Sequence, residues 1–102
     1  MVAAMIWTCL KPIDLGFLPG LIDEDDPRGV KEQLDDKYRY GGGWRPTPGL
    51  TLRPDRSLKY PGDPPLKPIA VSQLRDEVIL FYEHDWLCVV QPDGSFEVSR
   101  VD

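Results

Sequence analysis

Several things are scarce in this chain, and each scarcity excludes something. No apolar run approaches the roughly 18 residues of a membrane-spanning helix. The apolar opening Met1 to Trp7 has no basic flank, so it does not read as a signal peptide, and Met5 is an alternative start. Only two cysteines occur, Cys9 and Cys88, too few for a disulfide framework, so a cytoplasmic chain with two thiols is expected. His84 is the only histidine, and no spaced cysteine pair stands beside it to complete a zinc set. Apart from residues 69–91, no segment free of glycine and proline exceeds about a dozen residues, so a long helical bundle is not expected. Basic stripes are absent as well: 12 Lys and Arg stand against 17 Asp and Glu, a poor balance for holding nucleic acid. With 102 residues, the chain is read as one domain, 1–102.

Proline and glycine are plentiful, 11 and 9 residues, and they punctuate the chain. The acidity has an address. Residues 22–36 carry Asp23, Glu24, Asp25, Asp26, Glu32, Asp35 and Asp36 against Arg28 and Lys31, which accounts for the whole net charge of −5. Such a block is either the solvated start of a helix or an acidic docking surface that imitates nucleic-acid phosphate.

Residues 1–10 read as an apolar strand or a buried terminal segment, and 11–22 as an irregular apolar strap with at most one helical turn. A helix is expected over about 27–39. Asp26 is placed to cap it, Pro27 suits the first helical position, and Val30, Leu34 and Tyr38 form a narrow apolar stripe. Gly41 ends it, and Gly29 weakens it by about 1 kcal/mol.

Two look-alike hairpins follow. Pro54-Asp55-Arg56-Ser57 and Pro92-Asp93-Gly94-Ser95 each suit a three-residue loop with a bulge, with Arg56 and Gly94 at positive φ. Pairing Arg53 with Ser57 sets Leu52 opposite Leu58 and Thr51 opposite Lys59. Pairing Gln91 with Ser95 sets Val90 opposite Phe96 and Cys88 opposite Val98. Each register sorts side chains cleanly by face. Residues 60–68 read as a polyproline-like connector and 69–77 as room for a helical turn. Val78 to Tyr82 is an apolar strand that turns at Glu83-His84-Asp85 into Trp86 to Gln91, completing a C-terminal three-stranded meander. A two-residue turn at His84-Asp85 places Ile79 and Phe81 on the face of Cys88, while a three-residue turn swaps them. Both faces are apolar either way.

The expected fold is therefore α+β, one main helix packed on a small antiparallel sheet of hairpins. One helix covers one sheet face. The other must be covered by the strap, the N-terminal segment or another molecule, and an interface at Leu87 and Val89 is expected, with a homodimer the leading form.

Candidate sites stand beside plainer readings. Tyr40, Gly41, Gly42, Gly43, Trp44 and Arg45 offer a backbone nest for an anion and aromatics for stacking, or merely a helix stop with core aromatics. No Gly-Lys-Ser/Thr follows, so this is no P-loop. His84 with Cys9 or Cys88 suggests a nucleophile–base dyad, against a polar turn. Pro61 to Pro68 holds Pro-x-x-Pro spacings that suit an SH3-type partner or a stiff connector.

Asp26-Pro27-Arg28, Glu32-Gln33, Tyr40-Gly41-Gly42-Gly43-Trp44-Arg45-Pro46, Tyr60-Pro61-Gly62-Asp63-Pro64-Pro65, Phe81-Tyr82-Glu83-His84 and Pro92-Asp93-Gly94-Ser95-Phe96 form a combination. In it, the chain resembles a group of small uncharacterised proteins of proteobacterial genomes, phages and prophages, over about residues 13–102. The group has no established activity, so the resemblance implies no catalytic residue and no cofactor. It implies a bacterial or phage cytoplasmic accessory protein. Taken with the charge and hydropathy above, the leading reading is a non-catalytic phage or prophage protein that acts by contact with an unknown protein partner, with neither nucleic acid nor membrane. The alternatives are an acidic, nucleic-acid-mimicking inhibitor using Asp23 to Asp26, and a small-ligand or enzyme domain at Gly41 to Trp44.

Overall fold

The computed structural model describes residues 5–14, 16, 18–38 and 49–100. Among them the fold is α+β. Its elements are β1 (Thr8–Cys9), α1 (Val30–Tyr38), β2 (Thr51–Leu52), β3 (Leu58–Lys59), β4 (Pro68–Leu74), β5 (Glu77–Tyr82), β6 (Trp86–Val90) and β7 (Phe96–Arg100). All strand pairs are antiparallel. A five-stranded sheet runs β1-β4-β5-β6-β7, and β2-β3 stands apart as a two-stranded hairpin.

Both look-alike loops have the expected geometry. Arg56 sits at φ 70 and Gly94 at φ 88. Asp55 Oδ1 accepts from the Ser57 N–H and hydroxyl at 3.0 and 2.6 Å, and Asp93 Oδ1 does the same for Ser95 at 2.9 and 2.6 Å. Leu52 pairs with Leu58, and Val90 with Phe96. Between β5 and β6 the register pairs Phe81 with Leu87 and Leu80 with Cys88. The loop is therefore the three residues Glu83 to Asp85, the longer of the two turns considered. His84 and Asp85 both take positive φ to close it.

Residues 69–77 depart from expectation. They form no helical turn: β4 occupies 68–74 and closes onto β5 through Arg75-Asp76, with Leu74 paired to Glu77. The C-terminal meander thus has four strands. Val71, Ser72 and Gln73 reach cross-strand partners Leu80, Ile79 and Val78, and that pairing outweighs the local preferences of a short segment. The connector 60–68 is not uniformly extended either. Gly62 at φ 86 turns the chain, and Leu66 exchanges backbone hydrogen bonds with Leu58 at 2.9 and 2.8 Å.

The helix begins at Val30 rather than 27, because the carbonyls ahead of it are engaged elsewhere. The Arg75 guanidinium donates to the backbone oxygens of Asp26, Pro27 and Arg28. Asp26 caps its own turn, accepting from the Arg28 N–H at 2.9 Å. The first helical bond runs from Gln33 N–H to the Gly29 carbonyl at 3.1 Å. The Val30 N–H, orphaned at the helix start, is taken by Glu77 Oε1 at 3.0 Å.

Two cores result, one on each sheet face. Met5, Trp7, Leu21, Ile22, Val30, Leu34, Ala70, Leu74, Ile79, Phe81, Leu87 and Val89 fill the first. Leu58, Leu80, Tyr82, Cys88 and Val98 fill the second, with Leu50, Leu52 and Leu66 packed against them. The β2-β3 hairpin is thus the cover of the second face. Leu87 and Val89, expected at an interface, are 0% and 1% exposed inside the first core. The longer turn brings Ile79 and Phe81 onto their face, and the N-terminal segment, the strap and α1 enclose it.

Candidate functional site

The acidic segment does not form one continuous carboxylate face. Asp23 Oδ1 accepts from the Asp25 N–H at 2.9 Å, a local turn. Asp26 pairs with Arg28 at 2.8 Å, and Arg28 reaches Asp36 at 3.6 Å. Hydrogen bonds from the Arg28 side chain and backbone hold the Asp26 carboxyl below its usual range. Behind the segment, buried Gln33 binds both backbone groups of Asp23 and the Arg28 carbonyl, fastening the loop to the helix. Glu24 and Asp25 remain exposed. Sequence reading gave no structural role to Gln33, Arg75 or Glu77, the three side chains that organise this region. The Gln33 signal is a polar residue one position short of the apolar Leu34, on the same helical turn.

Tyr40, Gly41, Gly42, Gly43, Trp44 and Arg45 lie outside the described residues. His84 lies in the β5–β6 turn, and Glu83 beside it pairs with Lys11 at 2.7 Å, which lowers the Glu83 carboxyl. Cys9 is exposed on β1, whereas Cys88 is buried in the second core, where burial pushes its thiol up to about 12. A thiol so raised is a poor nucleophile. Tyr82 is buried beside it, and its hydroxyl donates to the Arg56 carbonyl at 2.7 Å, tying the β2-β3 loop to the sheet. Burial raises the Tyr82 hydroxyl as well. Among the described residues no group of three His, Cys, Asp or Glu side chains is arranged to hold a metal. No helix there is long and apolar enough to cross a membrane.

The margin of the sheet at β1 is different. Met5 and Trp7 enter the first core, so the alternation of an extended segment sends Ile6, Thr8 and Leu10 to the other side. There Ile6 is 82% and Leu10 52% exposed, the two most exposed large apolar side chains among the described residues. Neither belongs to the second core that the β2-β3 hairpin covers. Between β1 and β4 lies an open groove of about 460 Å³ with Ile6, Val71 and Val78 as its apolar lining and Arg56 and Glu24 as its charges. Sequence reading did not bring these residues together, since they come from four separated stretches of chain.

Compared with known protein families, curated proteins and solved structures, the chain matches none.

Proposed function

We propose that this chain is a non-catalytic accessory protein, of phage or prophage type, that works by protein–protein contact through the β1 margin of its sheet. The observation that carries this reading is the pair Ile6 and Leu10, exposed on either flank of a strand only two residues long at one end of the sheet order. Large apolar side chains grouped at a short strand are the usual mark of a contact surface. The acidic-inhibitor alternative has less support, because Asp26 and Asp36 are occupied by Arg28 and Asp23 by its own turn.

The test compares tagged wild type with an Ile6→Asp/Leu10→Asp variant in a proteobacterial lysate. Both should give the same circular dichroism and melting temperature, since the two side chains already face solvent. Wild type should retain a stoichiometric protein that the variant loses. Equal retention by the two, or no retained protein at all, would remove the reading.

A further inference from the structure

The β1–β4 pairing stops early. Thr8 pairs with Val71 and Cys9 with Ala70, and the Leu10 N–H donates to the Ile69 carbonyl at 2.8 Å. The next rung would join Ile6 to Gln73. It is not made: the Ile6 carbonyl turns instead to the Ser72 hydroxyl at 2.7 Å. Alternate residues of a strand direct their backbone groups to opposite edges. Val71 directs its own to β1, and so does Gln73. At Gln73, therefore, one N–H and one C=O of β4 face the groove with no backbone partner among the described residues. Arg56 and Glu24, which line the same groove, are in no ion pair among the described residues.

We propose that this groove takes an extended peptide from a partner protein, adding a short strand at Gln73. The inference rests on the contact reading above and specifies the partner's chemistry. A residue opposite Gln73 supplies the missing rung, as in other cases of strand addition to a sheet edge. Its side chain then lies on the face of Ile6, Val71 and Val78, so it is apolar. Residues two positions away on either side share that face. An acidic one answers Arg56 and a basic one answers Glu24. A membrane or a polyanion offers neither the rung nor both charges. Arg56 serves this role from a left-handed turn position, which fixes where its side chain leaves the backbone.

Fluorescence polarisation at low salt tests the proposal with two labelled peptides, Glu-Thr-Val-Thr-Lys and Lys-Thr-Val-Thr-Glu, each blocked at both ends. The controls are Ser-Thr-Val-Thr-Ser and a form of each charged peptide N-methylated at valine. One charged peptide should bind more tightly than the neutral one. N-methylation removes the rung and should weaken it by about tenfold, the worth of a hydrogen bond near 1.4 kcal/mol. Arg56→Gly and Glu24→Gln should each weaken it roughly two- to fivefold, as exposed ion pairs do. Neither variant touches a core, so folding is preserved. Equal binding of charged and neutral peptides, or indifference to both N-methylation and Arg56→Gly, overturns the proposal. So does a concentration-dependent dimer in light scattering that Ile6→Asp abolishes, because the occupant is then a second copy. If the peptides fail while Ile6→Asp/Leu10→Asp still loses a protein from lysate, the groove falls and the contact reading stands.

Discussion

Four residues other than glycine hold positive φ among those described: Arg56, Arg75, His84 and Asp85. Each spends about 1 kcal/mol of backbone strain at a turn. At Arg56 and Gly94 the same loop occurs once with a side chain and once without, which makes an internal comparison. A Cβ added at Gly94 meets nothing within 4 Å, so only its φ of 88 opposes a larger residue. Gly94→Val should therefore lower the melting temperature by several degrees, about 1–2 kcal/mol, while Arg56→Gly should leave it unchanged or raise it. Thermal denaturation followed by circular dichroism checks both. If Gly94→Val melts with wild type, the strain is not carried there. These loops were legible because proline, aspartate and a third position suited to positive φ each carry a local mechanism. Arg75-Asp76 was not. Its arginine holds φ 51 in a position that favours glycine, and what keeps it there is tertiary: three carbonyls that only the folded chain brings to its guanidinium.

At the scale of elements, the helix is started from outside itself. Gly29 occupies the position where a capping side chain is usual, and Glu77 of β5 supplies the acceptor instead. A Cβ at Gly29 would stand 2.8 Å from Glu77 Oε1 and 2.8 Å from Glu32 Oε2. Helix propensity alone favours Gly29→Ala by about 1 kcal/mol. Here it should destabilise, because it displaces the capping carboxylate. Glu77→Ala should cost about 1 kcal/mol, the usual worth of a cap. In the Glu77→Ala background the penalty of Gly29→Ala should shrink or reverse, and urea unfolding of the four proteins measures that coupling. Strict additivity would show that Glu77 is not what the new methyl meets. The apolar stripe of α1 was readable because Val30 and Leu34 repeat at helical spacing, and both are buried. Its start was not, since the groups that set it come from β5 and the β4–β5 loop, more than forty residues along the chain. The strand β4 was missed for a related reason: Ile69 to Leu74 is short, and its partners decide its form.

The whole molecule is a sheet covered on both sides by its own chain, with N-terminal elements on one face and the β2-β3 hairpin on the other. The apolar character of both faces was legible in β5 and β6; the identity of the second cover was not, because a hairpin of two paired residues per strand looks too small for it. Its Leu58, Leu52 and Leu50 nevertheless close over Cys88. A thiol reagent such as dithionitrobenzoate at pH 8 should accordingly titrate one thiol of the native protein, Cys9, and both in denaturant. Fast reaction of two native thiols would mean that the hairpin opens readily. The groove at β1 escaped sequence reading altogether, since it exists only where β1 parts from β4. The arrangement also sets an order of assembly. Residues 68–100 make contacts that are mostly local in sequence, and such meanders form quickly, whereas β1 must find β4 across about sixty residues. During synthesis the first sixty-seven residues leave the ribosome before the surface they pack against exists. Trp7, Ile22 and Leu58, each buried against side chains of that meander in the finished fold, have no such partner while it is still being made.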